Sequence, residues 1–320
     1  MTQAILSLGD LQVHFAVRGP FNRRIGSIKA VDGVSFDLMP GEVFGLVGES
    51  GCGKSTLGKA IMGIHKPTAG EIWFEGQRID ALAPAARRTV RKSLQYAYQD
   101  PGASLDPRWK IGSSLHEPLV IHTDLDQAAR EKRIRSILEA VGLPDTHLDL
   151  YPHEISGGQQ RRVGLARILT LHPKVVILDE PTSGLDVSVQ ATVLSLFRGL
   201  RETFDLTYVL ISHDLAVIRT MCSRVAVMYL GRIVESGPTE AIFDRPRHPY
   251  TRSLVAAIPK IGGVRVTRDF WLQGEPPDPG NLPTGCRFRT RCPKAADLCA
   301  REEPALSTLA PGSVACHFPD

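Results

Sequence analysis

The stretch "GESGCGKS", Gly48 to Ser55, decides the fold of this 320-residue chain. It follows the apolar run "EVFGLV" at 42–47, which is typical of a short buried strand, and it precedes "KSTLGKAIMG" at 54–63. From there Leu57, Ile61 and Ile64 recur at helical spacing. A strand, a glycine-rich turn and a helix in this order are the context in which G-x-x-x-x-G-K-[ST] binds phosphate. We therefore predict an α/β fold with a nucleotide site at this loop.

The residues of this loop suit the phosphates of a nucleotide. Backbone N–H groups and the start of the following helix attract the β- and γ-phosphates, Lys54 adds a charge, and Ser55 is placed to ligate Mg²⁺. We expect Cys52 to contribute its backbone, with its side chain as packing filler and not as a redox group. The predicted nucleotide-binding residues of the loop are Gly48, Ser50, Gly51, Cys52, Gly53, Lys54, Ser55 and Thr56.

Two acidic residues end a second strand-like run, "KVVILDE" at 174–180. Asp179 is placed like the residue that holds Mg²⁺ through water, and Glu180, one step further on, can polarise an attacking water. The alternative is a strand that ends in a solvated acidic turn, which the phosphate loop in the same chain disfavours. A third run, "LTYVLISHD" at 206–214, also ends in polar residues, and chemistry gathers at such strand ends in open α/β sheets.

A second glycine-containing helix start occurs at "ISGGQQRR", residues 155–162. Ser156 lies at a capping position, and the glycines let the backbone approach an anion closely. One nucleotide does not require two such surfaces. We therefore predict that this segment reaches a nucleotide held by another subunit, through Ser156, Gly157, Gly158 and Gln159.

Composition and charge exclude several classes of protein. The 38 basic and 34 acidic residues give a net charge of +4 without a polybasic block, so nothing indicates nucleic-acid binding. The segment "MTQAILSLGDLQVHF" lacks the basic and apolar pattern of a secretory signal. The longest apolar runs, such as "VAVMYL" at 225–230, fall far short of the roughly 20 residues that a membrane span needs. We expect a cytosolic protein that cannot cross a bilayer alone.

The composition changes twice along the chain. Between about 100 and 162 an amphipathic helix lies among polar and proline-containing segments, which indicates a helical subdomain. After about 245 prolines are frequent and mark a boundary. We therefore predict an ATPase-sized domain at 1–245 and a C-terminal extension at 246–320, with a β-hairpin at 225–237 around Gly231. The apolar face of the helix is predicted to consist of Ile134, Ile137, Leu138 and Val141.

The extension contains four cysteines in the spacing C-x5-C-x6-C-x16-C. A cytosolic location argues against disulfides and favours free thiols or metal ligands. Four thiolates suit zinc or an iron–sulfur cluster, and residue chemistry alone leaves both open, although the C-x2-C knuckles of many zinc sites are absent. The predicted ligands are Cys286, Cys292, Cys299 and Cys316, with His317 as a bystander. We expect a structural role, which ties down a tail with few apolar residues.

Several short motifs occur in the order found in ABC-type ATPase subunits, which the chain resembles over residues from about 5 to 245. They are the phosphate loop, "YQDP" at 98–101, "ISGGQ" at 155–159, "VVILDE", "SGLD" at 183–186 and "SHD" at 212–214. The resemblance implies the fold class: an α/β P-loop NTPase of the ABC type with a RecA-like core, an antiparallel β subdomain and a helical subdomain. The tail would add a small irregular C-terminal extension.

The resemblance also implies roles for residues outside the phosphate loop. Gln99 would sense the γ-phosphate, join Ser55 and Asp179 around Mg²⁺, and connect the site to the transport partner. His213 would contact the γ-phosphate and position the attacking water, which Glu180 activates. Asp186 would communicate across a dimer, and Phe15 would stack on adenine. Ile155 and Gly184 replace a leucine and an alanine that are common there, but no catalytic position is missing, so ATP hydrolysis is expected.

A narrower resemblance, to the dipeptide/oligopeptide importer ATPases, extends over nearly the whole chain. It is carried by "KAVDGVSFDLMPGEVFGLVGESGCGKSTLGKAI", "YQDPGASLDPR", "HPYTRSLVAAIP" and "GCRFRTRCPKAADLC". It implies a [4Fe-4S] cluster on the four cysteines, with Zn²⁺ as the alternative. It further implies a protein at the cytoplasmic face of the inner membrane. The expected partners are two transmembrane permease subunits, a second and distinct ATPase subunit that completes a heterodimer, and an extracytoplasmic peptide-binding protein.

Two other functions are considered. The first is a DNA-repair-type ABC ATPase with a zinc module. Only about 100 residues separate the phosphate loop from "ISGGQ", which leaves no room for a long coiled coil, and the near-neutral charge lacks a phosphate-binding surface. The second is a regulatory ATPase without transport. The cargo of a transporter is not encoded in the motifs of its ATPase.

Overall fold

The computed structural model describes residues 3–98, 102–258 and 274–320. The chain forms two compact units. The first unit combines Met1–Asp80 with Leu210–Asp320, and the second consists of Ala81–Val209. The two ends of the chain therefore build one unit together, and the C-terminal extension belongs to the same unit as the phosphate loop.

The helices and strands follow one another in an α/β order. In chain order they are β1 Leu6–Arg18, β2 Arg24–Leu38, β3 Val43–Val47, α1 Lys54–Ile61, β4 Ala69–Phe74, β5 Gln77–Arg78, α2 Pro84–Ser93, β6 Leu94–Ala97, α3 Ile111–His122, α4 Gln127–Ala140, α5 Gly157–Leu169, β7 Val175–Asp179, α6 Val187–Phe204, β8 Thr207–Ser212, α7 Leu215–Met221, β9 Arg224–Tyr229, β10 Arg232–Pro238, α8 Thr239–Asp244, α9 Pro249–Ala256, α10 Asp297–Arg301, β11 Ser307–Leu309 and β12 Gly312–Val314.

The first unit contains an antiparallel sheet with the strand order β2-β1-β4-β5. Strand β1 pairs with β2 from Leu6 opposite Leu38 onward, and with β4 through Leu8 opposite Ile72. Leu6, Leu8, Leu11 and Val13 of β1 are buried. Antiparallel strands with one buried face are the usual form of such a subdomain. The antiparallel β subdomain predicted from the sequence is therefore present.

The same unit contains the strand that leads into the phosphate loop. All five residues of β3 are buried, and β3 pairs in parallel with β9. A parallel strand covered on both faces requires a continuous apolar sequence, which explains "VFGLV". Helix α1 follows the loop, with Leu57 and Ile61 buried. The placement of Ile64 on the same face was wrong, because the helix ends at Ile61 and Ile64 is 47% exposed. The predicted unit of strand, loop and helix is confirmed.

The second unit contains strands β6 and β7, which pair in parallel, and the helices α2 to α6. Helix α4 begins at an N-cap aspartate, Asp126, whose carboxylate accepts a hydrogen bond from the Ala129 N–H at 2.8 Å. The face predicted from helical spacing is buried: Ile134, Ile137, Leu138 and Val141 are at most 1% exposed. Three-to-four-residue periodicity was sufficient to identify this face.

Strands β9 and β10 form the hairpin that the sequence predicts around Gly231. Tyr229 pairs with Arg232, so the loop consists of Leu230 and Gly231, which have φ values of 42° and 86°. Two positive φ values are the signature of a type I′ turn, whose twist matches the strands. A Cβ on Gly231 would lie 2.6 Å from the Lys29 carbonyl oxygen, so only glycine fits beside β2.

The C-terminal extension is less irregular than the sequence predicts. Strand β12 pairs with β10, with Ser236 opposite Ser313, and β11 pairs with β12. The chains approach so closely that a Cβ on Gly312 would lie 2.2 Å from the Ser236 carbonyl oxygen. These strands have three residues each, too few for a periodic pattern, and their partner is distant in sequence. Among the helices of the described residues, none is both long and apolar enough to span a bilayer.

Candidate nucleotide site

The phosphate loop is shaped by glycines that pack against neighbouring backbone. Gly48, Gly51 and Gly53 have φ values of 153°, 80° and 109°. A Cβ on Gly48 would lie 2.2 Å from the Met228 carbonyl oxygen, and one on Gly53 would lie 2.0 Å from the Ala30 carbonyl oxygen. Side chains are therefore excluded at both positions. Glycine at both positions is typical of a loop whose backbone approaches an anion closely.

Lys54 is held over this loop. Its side chain is buried, and Nζ donates hydrogen bonds to the carbonyl oxygens of Gly48 at 2.8 Å and Glu49 at 3.0 Å. The Cys52 thiol lies 3.7 Å from the same nitrogen. Burial raises the pKa of Cys52, so its thiol stays protonated near neutral pH. A buried, protonated thiol agrees with packing and not with redox chemistry at this position.

The acidic pair lies in the second unit, at the end of β7. Asp179 is 7% exposed, and the Tyr96 hydroxyl donates a hydrogen bond to its Oδ2 at 2.5 Å. Burial and the Asp179 carboxylate both raise the pKa of Tyr96, which keeps this hydroxyl a donor. Glu180 follows with a φ of 52°, a left-handed conformation that non-glycine residues seldom adopt. The strand therefore ends in the buried carboxylate of Asp179, and Glu180 follows it with a constrained backbone.

The segment 155–159 forms the N-terminus of α5, as the sequence predicts. Ser156 is the N-cap: its Oγ accepts from the Gln159 N–H at 3.3 Å, and Gln159 Oε1 accepts from the Ser156 N–H at 2.9 Å. This reciprocal capping box is specified by the serine and the glutamine three residues later. Gly157 and Gly158 are exposed, with open space beyond their Cα atoms. Asp186, the exposed N-cap of α6, belongs to the same unit.

The remaining predicted residues have separate positions. His213 is exposed and follows β8, while Asp214 caps α7 by accepting from the Ala216 N–H at 2.8 Å. Phe15 lies on β1, is 38% exposed, and contacts the His65 ring edge-on at 5.2 Å. Gln99 falls outside the residues that the structure describes. Its proposed contact with Mg²⁺ and the γ-phosphate therefore stays a prediction.

The four cysteines of the extension converge in the first unit, and all four are free thiols. The Cys286 N–H donates to the Cys299 carbonyl oxygen at 2.8 Å. Burial above all, together with the charges of Cys299, Cys316 and Cys292, raises the pKa of Cys286 to about 11. In the part of the chain that the structure describes, no group of three or more His, Cys, Asp or Glu side chains is already arranged around a single metal position.

The sulfurs of three of these cysteines accept hydrogen bonds from the N–H group two residues further on. Phe288 donates to Cys286, Lys294 to Cys292, and Phe318 to Cys316, the last at 3.4 Å. Such donors stabilise thiolates and tune metal centres. His317 Nε2 lies 2.9 Å from the Glu302 carbonyl oxygen. The imidazole is engaged with backbone, which agrees with its expected role as a bystander.

Sequence reasoning missed a set of residues that contact the phosphate loop from the C-terminal part of the chain. Arg291 forms an ion pair with Glu49, the second residue of the loop, and the Tyr250 hydroxyl bonds the Glu49 backbone. Arg291 and Glu49 are 242 positions apart. No local pattern connects them. The only available signal was the presence of charged residues, Glu49 in a loop that binds anions and Arg291 beside a cysteine.

The chain matches two protein families. The ABC transporter family matches residues 31–183, and the family described as "Oligopeptide/dipeptide transporter, C-terminal region" matches residues 234–299. The second match covers β10, the helices after it and three of the four cysteines. The two matches therefore account for both the nucleotide site and the extension.

Similar proteins cover nearly the full length. The oligopeptide transport ATP-binding protein AppF of Bacillus subtilis is 47% identical over 322 residues, 99% of this chain and 98% of the relative. The di/tripeptide transport ATP-binding protein DppF of Pseudomonas aeruginosa is 44% identical, covering 98% of each chain. The dipeptide transport ATP-binding protein DppF of Escherichia coli is 43% identical, covering 100% of this chain and 96% of the relative.

Solved structures show the same fold. CbiO1 of Clostridium perfringens, part of the ABC transporter complex CbiONQ, has a TM-score of 0.66 and 28% identity, covering 75% of this chain and 91% of that one. The dimeric ATP-binding cassette MJ0796, bound to ADP and Pi, has a TM-score of 0.64 and 25% identity, covering 73% and 98%. These likenesses confirm the predicted α/β P-loop fold of the ABC type.

The comparisons do not favour the DNA-repair alternative, because the cysteine-containing segment matches a transporter extension and the full-length relatives are named as transport proteins. Identity well above 40% over the whole length leaves no segment of the chain unmatched. The chain is therefore an ATPase that belongs to the ABC transporter family, in the group whose ATP-binding proteins carry the oligopeptide/dipeptide transporter C-terminal region.

Proposed function

We propose that this ATPase powers the import of peptides, of the dipeptide to oligopeptide class, through separate membrane subunits. The observation that carries the proposal is the presence of both matched segments in one chain, the ABC segment at 31–183 and the oligopeptide/dipeptide segment at 234–299. The full-length relatives named as peptide transport ATP-binding proteins support it. Because no helix of the described residues suits a bilayer, the ATPase cycle has to act on other chains.

The residues of this chain divide the work of hydrolysis between them. The phosphate loop from Gly48 to Thr56 binds and orients the β- and γ-phosphates, with Lys54 as the fixed charge. Mg²⁺ would be held by Ser55, Gln99 and Asp179 and would supply charge stabilisation at the transferring phosphoryl group. Glu180 accepts the proton of the attacking water, and His213 positions that water. Phe15 packs against adenine.

Two such chains face each other head to tail in our proposal, and each composite site uses the phosphate loop of one chain and the α5 N-terminus of the other. The exposure of Gly157 and Gly158 supports this arrangement, because no residue that the structure describes fills the space beyond them. Asp186, also exposed, communicates between the two sites. The dimeric cassette MJ0796 supports the same stoichiometry. A distinct sister ATPase is the proposed second subunit.

The proposed partners follow from a peripheral position at the cytoplasmic face of the inner membrane. They are two transmembrane permease subunits, the sister ATPase, and an extracytoplasmic peptide-binding protein that delivers cargo. The permeases contact the surface near Gln99. The predicted helical subdomain, at about 100–162, begins directly after this residue. The proposed functional division is an ATPase domain at 1–245 and an extension at 246–320.

We also propose that Cys286, Cys292, Cys299 and Cys316 hold a [4Fe-4S] cluster. Four converging thiols with N–H donors aimed at three of the sulfurs supply the number and chemistry of ligands that this cluster uses. A zinc ion would require all four sulfurs to lie about 2.3 Å from a single metal position. Zn²⁺ remains the alternative.

Analysis of metal and acid-labile sulfide on protein purified without oxygen tests the cysteine site. We expect about four irons and four sulfides per chain, and their loss in a Cys286→Ser/Cys292→Ser variant. A Cys222→Ser variant, which removes a buried thiol outside this group, is the matched control and keeps the iron. One zinc without sulfide would assign the site to zinc instead.

Reconstitution of the complete transporter tests the proposed function. Vesicles that contain the permeases, with the sister ATPase, this chain and ATP enclosed and the peptide-binding protein outside, should take up labelled di- and tripeptides, whereas vesicles without ATP should not. Replacing this chain by its Glu180→Gln variant should abolish uptake while the complex stays assembled. ATP-dependent uptake of a different class of solute, with no response to peptides, would reject the peptide assignment and leave the ATPase assignment intact.

A further inference from the structure

The phosphate loop contains a carboxylate that the binding of phosphate does not require. Glu49 is its second residue, and its side chain is 26% exposed. A carboxylate in this position repels a nucleotide triphosphate, because like charges raise the free energy of the bound state. The loop therefore needs a cation that compensates Glu49, in addition to Lys54.

Arg291 of the C-terminal extension is that cation. Its Nη1 donates to Glu49 Oε2 at 2.6 Å, and its Nη2 donates to Glu49 Oε1 at 3.0 Å. This fork-to-fork geometry is the strongest form of ion pair between these groups. The Arg291 side chain is only 4% exposed, so solvent screens the pair weakly. The guanidinium fixes the carboxylate as well as neutralising it.

Buried aromatic side chains hold Arg291 in place. Its guanidinium carbon lies 5.9 Å from the centre of the Tyr229 ring, and Nη1 lies 3.4 Å from the Tyr229 hydroxyl. Tyr229 packs against Tyr250 at 4.7 Å and edge-on against Phe288 at 5.3 Å. All three rings are at most 1% exposed. A planar cation enclosed in this way loses little additional conformational freedom when it pairs.

The backbone of Glu49 is fixed from the same direction. The Glu49 N–H donates to the Tyr250 hydroxyl at 2.9 Å. Tyr250 belongs to "HPYTRSLVAAIP", and Arg291 belongs to "GCRFRTRCPKAADLC". Both segments of the C-terminal region thus meet at one residue of the phosphate loop, one at its backbone and one at its carboxylate.

We propose that Arg291 is a positioning residue of the nucleotide site, which neutralises Glu49 and so permits the phosphate loop to bind a triphosphate. The C-terminal extension is then a working part of the ATPase and not only an attached module. The proposal depends on the ATPase assignment but not on the cargo or on the metal held by the cysteines.

The extension does not depend on Arg291 alone for its attachment. Arg287 pairs with Asp32 of β2 and with Glu303, and its Nη1 donates to the Leu230 carbonyl oxygen at 2.5 Å. Strand β12 adds backbone bonds to β10. Removing the Arg291 charge should therefore change the electrostatics of the loop without releasing the extension, which makes substitution a usable test.

The decisive experiment compares Arg291→Gln, Glu49→Gln and the double variant. Arg291→Gln leaves an uncompensated carboxylate in the loop, and we expect the Kd for MgATP to rise about tenfold. Glu49→Gln removes the repelling charge, so its Kd should match or fall below that of the wild type. The double variant should recover binding to within about twofold of the wild type.

A merely structural ion pair would behave differently, because both single variants would lose affinity and the double variant would not recover. That pattern, or unchanged binding in Arg291→Gln, would overturn the proposal. Added salt should narrow the gap between Arg291→Gln and the wild type, because it screens the repulsion. Thermal midpoints and iron content, measured on every variant, confirm that the extension stays folded.

One further variant and one further comparison complete the design. Arg252→Gln breaks the ion pair between α9 and Asp320, at 3.0 Å, without touching the phosphate loop, and should bind MgATP like the wild type. Should Arg291→Gln be insoluble, the double variant is compared with Glu49→Gln alone. The two should bind equally, and binding weaker by more than about fivefold in the double variant would refute the compensation of charge.

Discussion

Glu180 lies directly after a buried strand, in a backbone conformation that few residues other than glycine adopt. Its φ of 52° places it in the left-handed region, and the Ser183 N–H donates to its carbonyl oxygen at 3.1 Å. Strain of this kind persists only where the surrounding structure enforces it, and it is concentrated at functional sites. The unusual conformation is an observation independent of the sequence motif, and it points to the same residue.

Glu180→Gln should bind MgATP with nearly unchanged affinity and lose at least about a hundredfold in kcat, because the amide cannot accept a proton from the attacking water. Equilibrium nucleotide binding and steady-state phosphate release measure the two effects separately. Glu202→Gln, at an exposed position on α6, is the control for the loss of one negative charge. Near-normal turnover in Glu180→Gln would remove Glu180 from the proposed base role.

At the level of single residues, the sequence was informative wherever the chemistry lay within a few positions. The glycines of the phosphate loop and the capping residues of α5 could be identified because a turn and a helix end each have a local signature. The partners of Glu49 could not be identified, because Arg291 meets it across 242 positions and an arginine in a tail has many possible partners. Long-range charge pairing has no sequence period.

Helix α5 begins at an exposed surface of the part of the chain that the structure describes. A Cβ added at Gly158 would have no atom within 4 Å outside its own helix, whereas one added at Gly48 or Gly53 would meet backbone oxygens within 2.2 Å. Fold packing therefore explains Gly48 and Gly53 of the phosphate loop but not the glycine at this helix start. A phosphate of another chain that approaches the backbone closely would explain it.

Gly158→Ala should leave the thermal midpoint unchanged or slightly higher, since alanine gains up to about 1 kcal/mol over glycine in a helix. ATPase activity of the assembled complex should fall at least about tenfold, because the added methyl group obstructs the neighbouring nucleotide. Gly199→Ala, in α6 and equally open, is the matched control and should keep full activity. An active Gly158→Ala complex would argue against a composite site at this helix.

The start of α9 contains a buried histidine that makes the first unit sensitive to acid. His248 is 1% exposed, its Nδ1 accepts from the Tyr250 N–H at 3.0 Å, and its ring lies 5.6 Å from Phe288. Burial lowers the pKa of His248 to about 4 from its ordinary value of 6.5. Between these two pH values the unfolded chain binds more protons than the folded chain, so acid favours unfolding.

The free energy of unfolding should therefore decrease as pH falls from about 6.5 to about 4, with a contribution from His248 of up to about 3 kcal/mol. Above pH 6.5 this contribution is constant. His248→Asn keeps a side-chain acceptor for the helix start and should show a shallower decrease in thermal midpoint over the same range. His153→Asn, at an exposed position, should follow the wild type. Parallel curves for wild type and His248→Asn would assign the acid sensitivity to other groups.

At the level of elements, the sequence predicts those that carry their own pattern. The buried face of α4, the strand before the phosphate loop and the hairpin of β9 and β10 all follow from spacing and turn residues. Strands β11 and β12 were not predicted, because each has three residues and the pairing of Ser313 with Ser236 is established only by the folded chain. Short strands formed by distant partners are specified by tertiary contacts.

At the scale of the whole molecule, the C-terminal extension completes the first unit by packing against its N-terminal part. Residues 1–80 and 210–320 share one core, and the segment between Cys286 and Cys292 supplies three of its contacts. Arg287 pairs with Asp32, Phe288 enters the aromatic cluster, and Arg291 holds Glu49. A group bound by the two cysteines would fix both ends of this short segment. Binding or loss of that group should then affect the phosphate loop through Arg291.

Loss of the group proposed on the cysteines should therefore loosen the nucleotide site before the unit unfolds. In Cys286→Ser/Cys292→Ser protein, or after treatment with an iron chelator, we expect amides of residues 43–61 to exchange hydrogen faster and the thermal midpoint to fall. The physical reason is that ordering the segment between the two cysteines costs conformational entropy, which the bound group offsets. Hydrogen exchange followed by mass spectrometry measures this without reference to activity. Cys222→Ser, which keeps the group, should exchange like the wild type.

Two outcomes of this experiment separate a coupled extension from an independent module. Faster exchange that is confined to residues 274–320 would mean that the cysteines stabilise only their own segment. The ion pair between Arg291 and Glu49 would then not couple the extension to the phosphate loop. Faster exchange in both regions, reproduced in the phosphate loop by Arg291→Gln with its iron intact, would place the effect on the ion pair itself. The second pattern is expected, because the bidentate contact of Arg291 with Glu49 joins the segment beside Cys292 directly to the loop that holds the phosphates.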